Sequence, residues 1–183
     1  MQNLLFNKLF KENQEKYIKL TLDENDLARI QEIINIVIPA KQGEYHHKID
    51  GRQEEKRWST GFAGEIAVEK LLDYKFIAYG VGHSNEYNRP DIEGIKVGIK
   101  TVEYGKFPVI FKKSYYPEII CIRQENDIYV CGVALPQILN SYQSDEYILS
   151  PALRARGTKT AFIGLDKLIQ FSTMEELKRI LKK

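Results

Sequence analysis

Between residues 95 and 135, four strand-like runs follow one another with no room for a helix between them: IKVGIKTV, FPVIF, EIICIRQ and DIYVCGVAL. Runs this rich in Ile, Val, Phe and Tyr, punctuated by Gly, Pro, Ser and Asn, read as strands. A chain with such a block must build a sheet there and must cover it, and helical patterns on both sides supply the cover. Upstream, STGFAGEIAVEKLLDY (59–74) repeats at helical spacing, with Ser59 or Thr60 as cap and Phe62, Ile66 and Leu71 facing inward. Earlier still, YIKLTL (17–22) alternates like a short strand. Residues 23–40 then carry the stripe Leu27, Ile30, Ile33, Ile34, with Asp23 as N-cap and Pro39 as the stop.

The polar stretch 40–58 reads as a loop or irregular helix, KFIAYG (75–80) as a strand, and VGHSNEYN (81–88) as a loop. After the sheet block come a helix at LPQILNSY, a loop at LRARGTK, a strand at TAFIGL and two short helices at DKLIQF and TMEELKRIL. The expectation is an α/β domain with a mixed central sheet flanked by helices (51–183), preceded by a strand-plus-helix lead-in and linker (1–50). Neither an internal repeat nor a low-complexity tract interrupts it.

Composition narrows the function classes. With 43% hydrophobic and 28% charged residues, and no apolar run near the roughly 18 needed to span a bilayer, a membrane protein is excluded. The first residues lack a signal-peptide pattern, so a cytoplasmic location is expected. A net charge of +2 means that any nucleic acid must be held by a local patch. Cys121 and Cys131 flank a hairpin and read as reduced core thiols or as a facing pair; without CxxC or Cys/His clusters, zinc is not expected. YGVGHSN lacks the third glycine and following helix of a dinucleotide site, and no P-loop or Gly-x-Ser-x-Gly occurs.

The chemistry-bearing stretch is RPDIEGIKVGIKT (89–101). A side-chain period of two puts Lys96, Gly98 and Lys100 on one strand face and Ile95, Val97 and Ile99 on the other. Asp91 enters from a proline-fixed approach, so it can reach Lys100 across the turn. A carboxylate for a hard cation and a lysine for water and charge are the parts of a magnesium-dependent hydrolytic site; a surface salt bridge is the plainer alternative.

Pro90-Asp91, the strand ending in Lys100-Thr101 and the preceding helix with Glu65 together resemble the PD-(D/E)xK nuclease superfamily over roughly residues 57–135. The resemblance implies a restriction-endonuclease-like fold and metal-dependent hydrolysis of DNA phosphodiesters in a phage, restriction or recombination setting. It implies Mg2+, with Mn2+ as a substitute, held by Asp91, Glu65 and the Ile99 carbonyl, while Lys100 positions the attacking water. Gly98 departs from the pattern, since the family places its second acid there. Glu93 and Glu103 are the substitute acids in reach, Glu103 only through a bulge. Without a substitute, the alternative is a degenerate nuclease fold serving as a DNA-binding or protein-interaction module.

Glu69, one turn beyond Glu65, is either a supporting acid or an exposed helix charge. His46 and His47 beside Asp50 either reach the site or a phosphate or belong to an exposed polar loop, the plainer reading. For DNA, the expected contacts are Lys56 and Arg57 in EEKRWST, Lys112 and Lys113 in FKKSYY, and Arg154, Arg156 and Lys159 in LRARGTK. Each run alone is an ordinary solvated face. A homodimer is left open.

Overall fold

The computed structural model describes residues 3–41, 51–77 and 90–182. Its centre is a four-stranded mixed sheet made of β1 (Ile18–Thr21), β2 (Gly98–Glu103), β4 (Glu118–Gln124) and β5 (Asp127–Ala134), in the order β1-β5-β4-β2. β1–β5 and β5–β4 are antiparallel, whereas β2 lies parallel to β4. A second, antiparallel sheet of order β3-β7-β6 combines β3 (Val109–Phe111), β6 (Gln143–Ser144) and β7 (Lys159–Phe162). A mixed α/β architecture is therefore present as expected.

Both faces of the central sheet are covered, which explains why β4 and β5 are apolar almost throughout. One face packs against α2 (Glu24–Lys41), α3 (Gly51–Leu72) and α6 (Met174–Leu181) through Ile33, Ile34, Ile66, Val68 and Leu177. The other is covered by α1 (Leu4–Asn13) and the small sheet through Phe6, Phe10, Ile110 and Phe162. The two short helices α4 (Pro136–Ser141) and α5 (Pro151–Arg156) flank β6 in the chain. Among the described residues, no helix is long and apolar enough to cross a membrane.

Several local expectations change. Asp23 caps α2 as expected, accepting the Asp26 N–H at 2.9 Å while Asp26 accepts the Asp23 N–H at 3.0 Å. Pro39, however, lies inside the helix, which runs on to Lys41; in the last turn its missing N–H removes only one bond. α3 begins at Gly51 rather than at Ser59 or Thr60. Residues 52–58 contain no breaker, and Trp58 stacks on Phe62 one turn later with ring centroids 5.8 Å apart. LRARGTK is not a loop throughout: α5 holds its first four residues, ending at Gly157 with φ 67°.

The strand expected at 75–80 does not appear over 75–77, and the rest of that stretch lies outside the described residues. The amides of Phe76 and Ile77 donate instead to Glu69, each at 2.8 Å. The two cysteines do not face one another. A register shift after Ile120 pairs Cys121 with Val130, and Cys121 and Cys131 sit in the cores on opposite faces of the sheet as free, buried thiols.

Gly64 sets how closely α3 approaches β2. A Cβ there would lie 2.8 Å from the Thr101 Cβ, so only glycine lets the helix backbone rest on that strand. Gly64→Ala is expected to lower stability by about 1–3 kcal/mol through overpacking. Urea denaturation checks it, and an unchanged midpoint would remove this account of the contact.

Candidate active site

Among the described residues β2 is the edge strand of the central sheet, and its side away from β4 is shaped by the turn before it. Ile92 bridges Val97, its N–H donating to the Val97 carbonyl at 3.0 Å, and a 3-10 turn at Glu93–Ile95 closes the loop. Lys96 completes the reversal at φ 51°. Asp91 is thereby laid alongside β2, where its Oδ2 accepts the Ile99 N–H at 2.5 Å. Within a strand, one residue's N–H and C=O point to the same edge, so the Ile99 carbonyl opens on the Asp91 side. Although Asp91 as a residue is exposed, its carboxyl is tucked in. Burial raises its pKa, opposed by Lys100 and by the Ile99 N–H.

The parallel register pairs Gly98 with Glu118 and Lys100 with Ile120. Gly98, Lys100 and Glu118 thus share one face of the sheet. Glu118 opens β4, and its carboxylate fills the space over Gly98: its Cδ lies 2.9 Å from where a Cβ on Gly98 would stand. Lys100 Nζ is 3.9 Å from Glu118 Oε1, while the buried Oε2 has no hydrogen-bond partner among the described residues. Burial pushes the Glu118 pKa up to about 7; Lys100 opposes the rise, Asp91 adds to it and Lys159 opposes it. Sequence reasoning did not find this acid.

Glu65 reaches the same region from α3, next to the Gly64 contact. Its pKa is pushed up to about 8 by burial first, then by the charges of Asp91 and Glu69, against Lys100 and Arg29. Glu69 is buried, not an exposed helix charge. Burial raises its pKa, but Arg29 at 2.5 Å and the two amides at 76 and 77 outweigh that and hold it below the usual value. Glu69 is satisfied by these partners and acts on the site through charge alone.

Asp91, Lys100, Glu65 and the Ile99 edge are thus brought into one neighbourhood. Glu103 is turned to the α3 side, where its Oε1 accepts the Thr60 hydroxyl at 2.5 Å, because it alternates with Lys100 along β2. The side chain of Glu93 lies outside the described part of the molecule, as do His46, His47 and Asp50. Among the described residues, no three of His, Cys, Asp and Glu gather tightly enough to hold a metal ion by themselves.

The basic residues divide. Lys159 is half-buried beside the site: its Nζ stands 3.1 Å from the Phe111 ring centre. Its pKa is lowered to about 8 by burial, then by Lys100, with Glu118 opposing and Arg156 adding. Lys112 pairs with Asp145 at 2.6 Å, and Arg154 donates to the Ile148 carbonyl at 2.8 Å, so both have local structural work. Lys113 lies over Tyr115 and Arg57 over Trp58, while Lys56 and Arg156 are exposed.

What this arrangement can do chemically is bind a hard cation or a phosphate. Its acids are oxygen donors at a strand edge, and its two lysines are placed to meet negative charge. Compared with known proteins, the chain matches no family model, no curated protein and no solved structure.

Proposed function

We propose that this chain is a metal-dependent nuclease that hydrolyses DNA phosphodiesters, with its second metal-binding acid on β4 instead of β2. The observation that supports this reading is the Glu118 carboxylate standing over Gly98 beside Lys100. The acid that the PD-(D/E)xK pattern places at position 98, and that this chain lacks there, would be supplied from the parallel neighbour, at the place a side chain on 98 would have occupied.

The residues suit a divalent cation. All donors are oxygens, Glu118 Oε2 is buried without a partner among the described residues, and Asp91, Glu65 and Glu118 are all shifted toward the neutral form by burial. Asp91, Glu118 and the Ile99 carbonyl would hold Mg2+ with waters completing the shell; magnesium usually keeps several waters and takes only one or two carboxylates. When bound, the ion would supply Lewis-acid polarisation of the phosphodiester. The Ile99 N–H keeps Asp91 oriented at the strand edge. Lys100, flanked by Glu118, neutralises phosphate charge and aligns a water for attack. Glu65 lies on the helix side of the site, within the field of Asp91 and Lys100.

Supercoiled plasmid, linear duplex and single-stranded circles incubated with Mg2+ or Mn2+ test the reading. Cutting that EDTA stops is the expected outcome. Intact substrates under both metals would turn the site into a binding module without catalysis.

A further inference from the structure

The segment joining β3 to β4 ends on Glu118. Most of the described aromatic side chains are buried in or packed against the two cores, yet three within six residues are exposed: Phe111 is 37% exposed, Tyr115 71% and Tyr116 42%. Such a cluster of rings in water needs a reason.

Cations accompany the rings. Lys113 Nζ lies 5.3 Å from the Tyr115 ring, and Lys159, paired with Phe111 across β3 and β7, lies over that ring. The segment is also held in place. Ser114 donates its N–H to Asn140 Oδ1 at 2.8 Å and accepts from Asn140 Nδ2 at 3.0 Å, and its hydroxyl donates to the Phe111 carbonyl at 3.2 Å. A backbone held in this way has little freedom left to lose when a ligand stacks on the rings it carries. The segment then enters the site directly: the Pro117 carbonyl accepts the Gly98 N–H at 2.9 Å, and Lys159 acts electrostatically on both Glu118 and Lys100.

We propose that Phe111, Tyr115 and Tyr116, with Lys113 and Lys159, form a strip that binds single-stranded DNA and leads it to the site; this rests on the nuclease reading above. Exposed ring faces beside ammonium groups match unpaired bases on a phosphate backbone. In a duplex the base faces are already stacked inside, and phosphate contact alone requires no aromatic ring. The strip therefore selects unpaired strands or single-stranded tails over intact duplex.

Fluorescence anisotropy in EDTA separates the terms, using a labelled strand of about 20 nucleotides, a hairpin duplex, and an abasic strand that keeps the phosphates without the bases. The protein is expected to prefer the intact strand over the other two. The double substitution Tyr115→Ala/Tyr116→Ala should weaken strand binding by about 10- to 100-fold, leave the hairpin and abasic affinities within about twofold, and be rescued by Tyr115→Phe/Tyr116→Phe. Circular dichroism establishes that each variant is folded. Unchanged strand affinity in the folded alanine variant, or equal affinity of the protein for strand and hairpin, overturns the strip. Tyrosine-dependent strand binding without cleavage under either metal would leave the strip standing and remove the nuclease reading. Cleavage without tyrosine-dependent binding would do the reverse.

Discussion

Glu118→Gln is expected to make the protein more stable and at least about 100-fold less active. The amide keeps the volume over Gly98 but cannot carry the charge a cation needs. Stability moves the other way because the carboxylate is held in a buried place. Its pKa rises from 4.5 in the ordinary case to about 7 in the fold, which corresponds to about 3 kcal/mol against the folded state once the group is fully ionised. The sign follows from linkage. Below pH 4.5 the acid is neutral folded or unfolded and costs nothing; between 4.5 and about 7 the folded protein binds more protons, so stability falls as pH rises; above about 7 the full cost is present. Calorimetry in EDTA should therefore show the variant melting several degrees above the parent at pH 8 and level with it near pH 4.5, at about 2–4 °C per kcal/mol for a chain of this size. Equal melting temperatures at pH 8, or retained cleavage, would contradict the role given to this carboxylate.

The second large effect concerns the pair 98 and 118 together. Gly98→Glu alone is expected to inactivate and destabilise, because its Cβ would meet the existing carboxylate and two acids would compete for one space. Glu118→Ala alone is expected to be inactive for want of the acid. Combined, the two changes return the acid to β2 while clearing the space above it. Cleavage should recover to within about tenfold of the parent, a strong departure from additivity of the kind contacting residues show. Single-turnover rates for the three variants decide it. A double variant that is folded and as inactive as the singles would mean that the position of the carboxylate, and not just its presence, is bound to β4.

Much of this site is legible in the linear order of residues, and the illegible part has a definite cause. Period-two alternation places Gly98 and Lys100 on one face, and Pro90-Asp91 followed by a tight turn brings the acid to the strand edge. Both are local relations. Glu118 is different: it comes next to Gly98 only because the chain leaves for the small sheet at β3 and returns to lie parallel and in register with β2. An acid opening the apolar run EIICIRQ was the only signal for it, and without the register it reads as a polar strand end. The expected strand after α3 failed over 75–77 for a related reason. Glu69, a buried carboxylate on the helix, takes the amides that a neighbouring strand would need, a tertiary demand that overrides β-propensity.

Asp91 has a second consequence, for solubility. Among the described residues, β2 borders the central sheet with no further strand beyond it, and such a margin offers unpaired amides and carbonyls to other chains. By accepting the Ile99 N–H, Asp91 occupies one of those amides. The residue proposed to hold the cation is thus also a gatekeeper against intermolecular strand pairing. Among the described residues, removing that acid would leave the Ile99 N–H at the margin of the sheet without this acceptor.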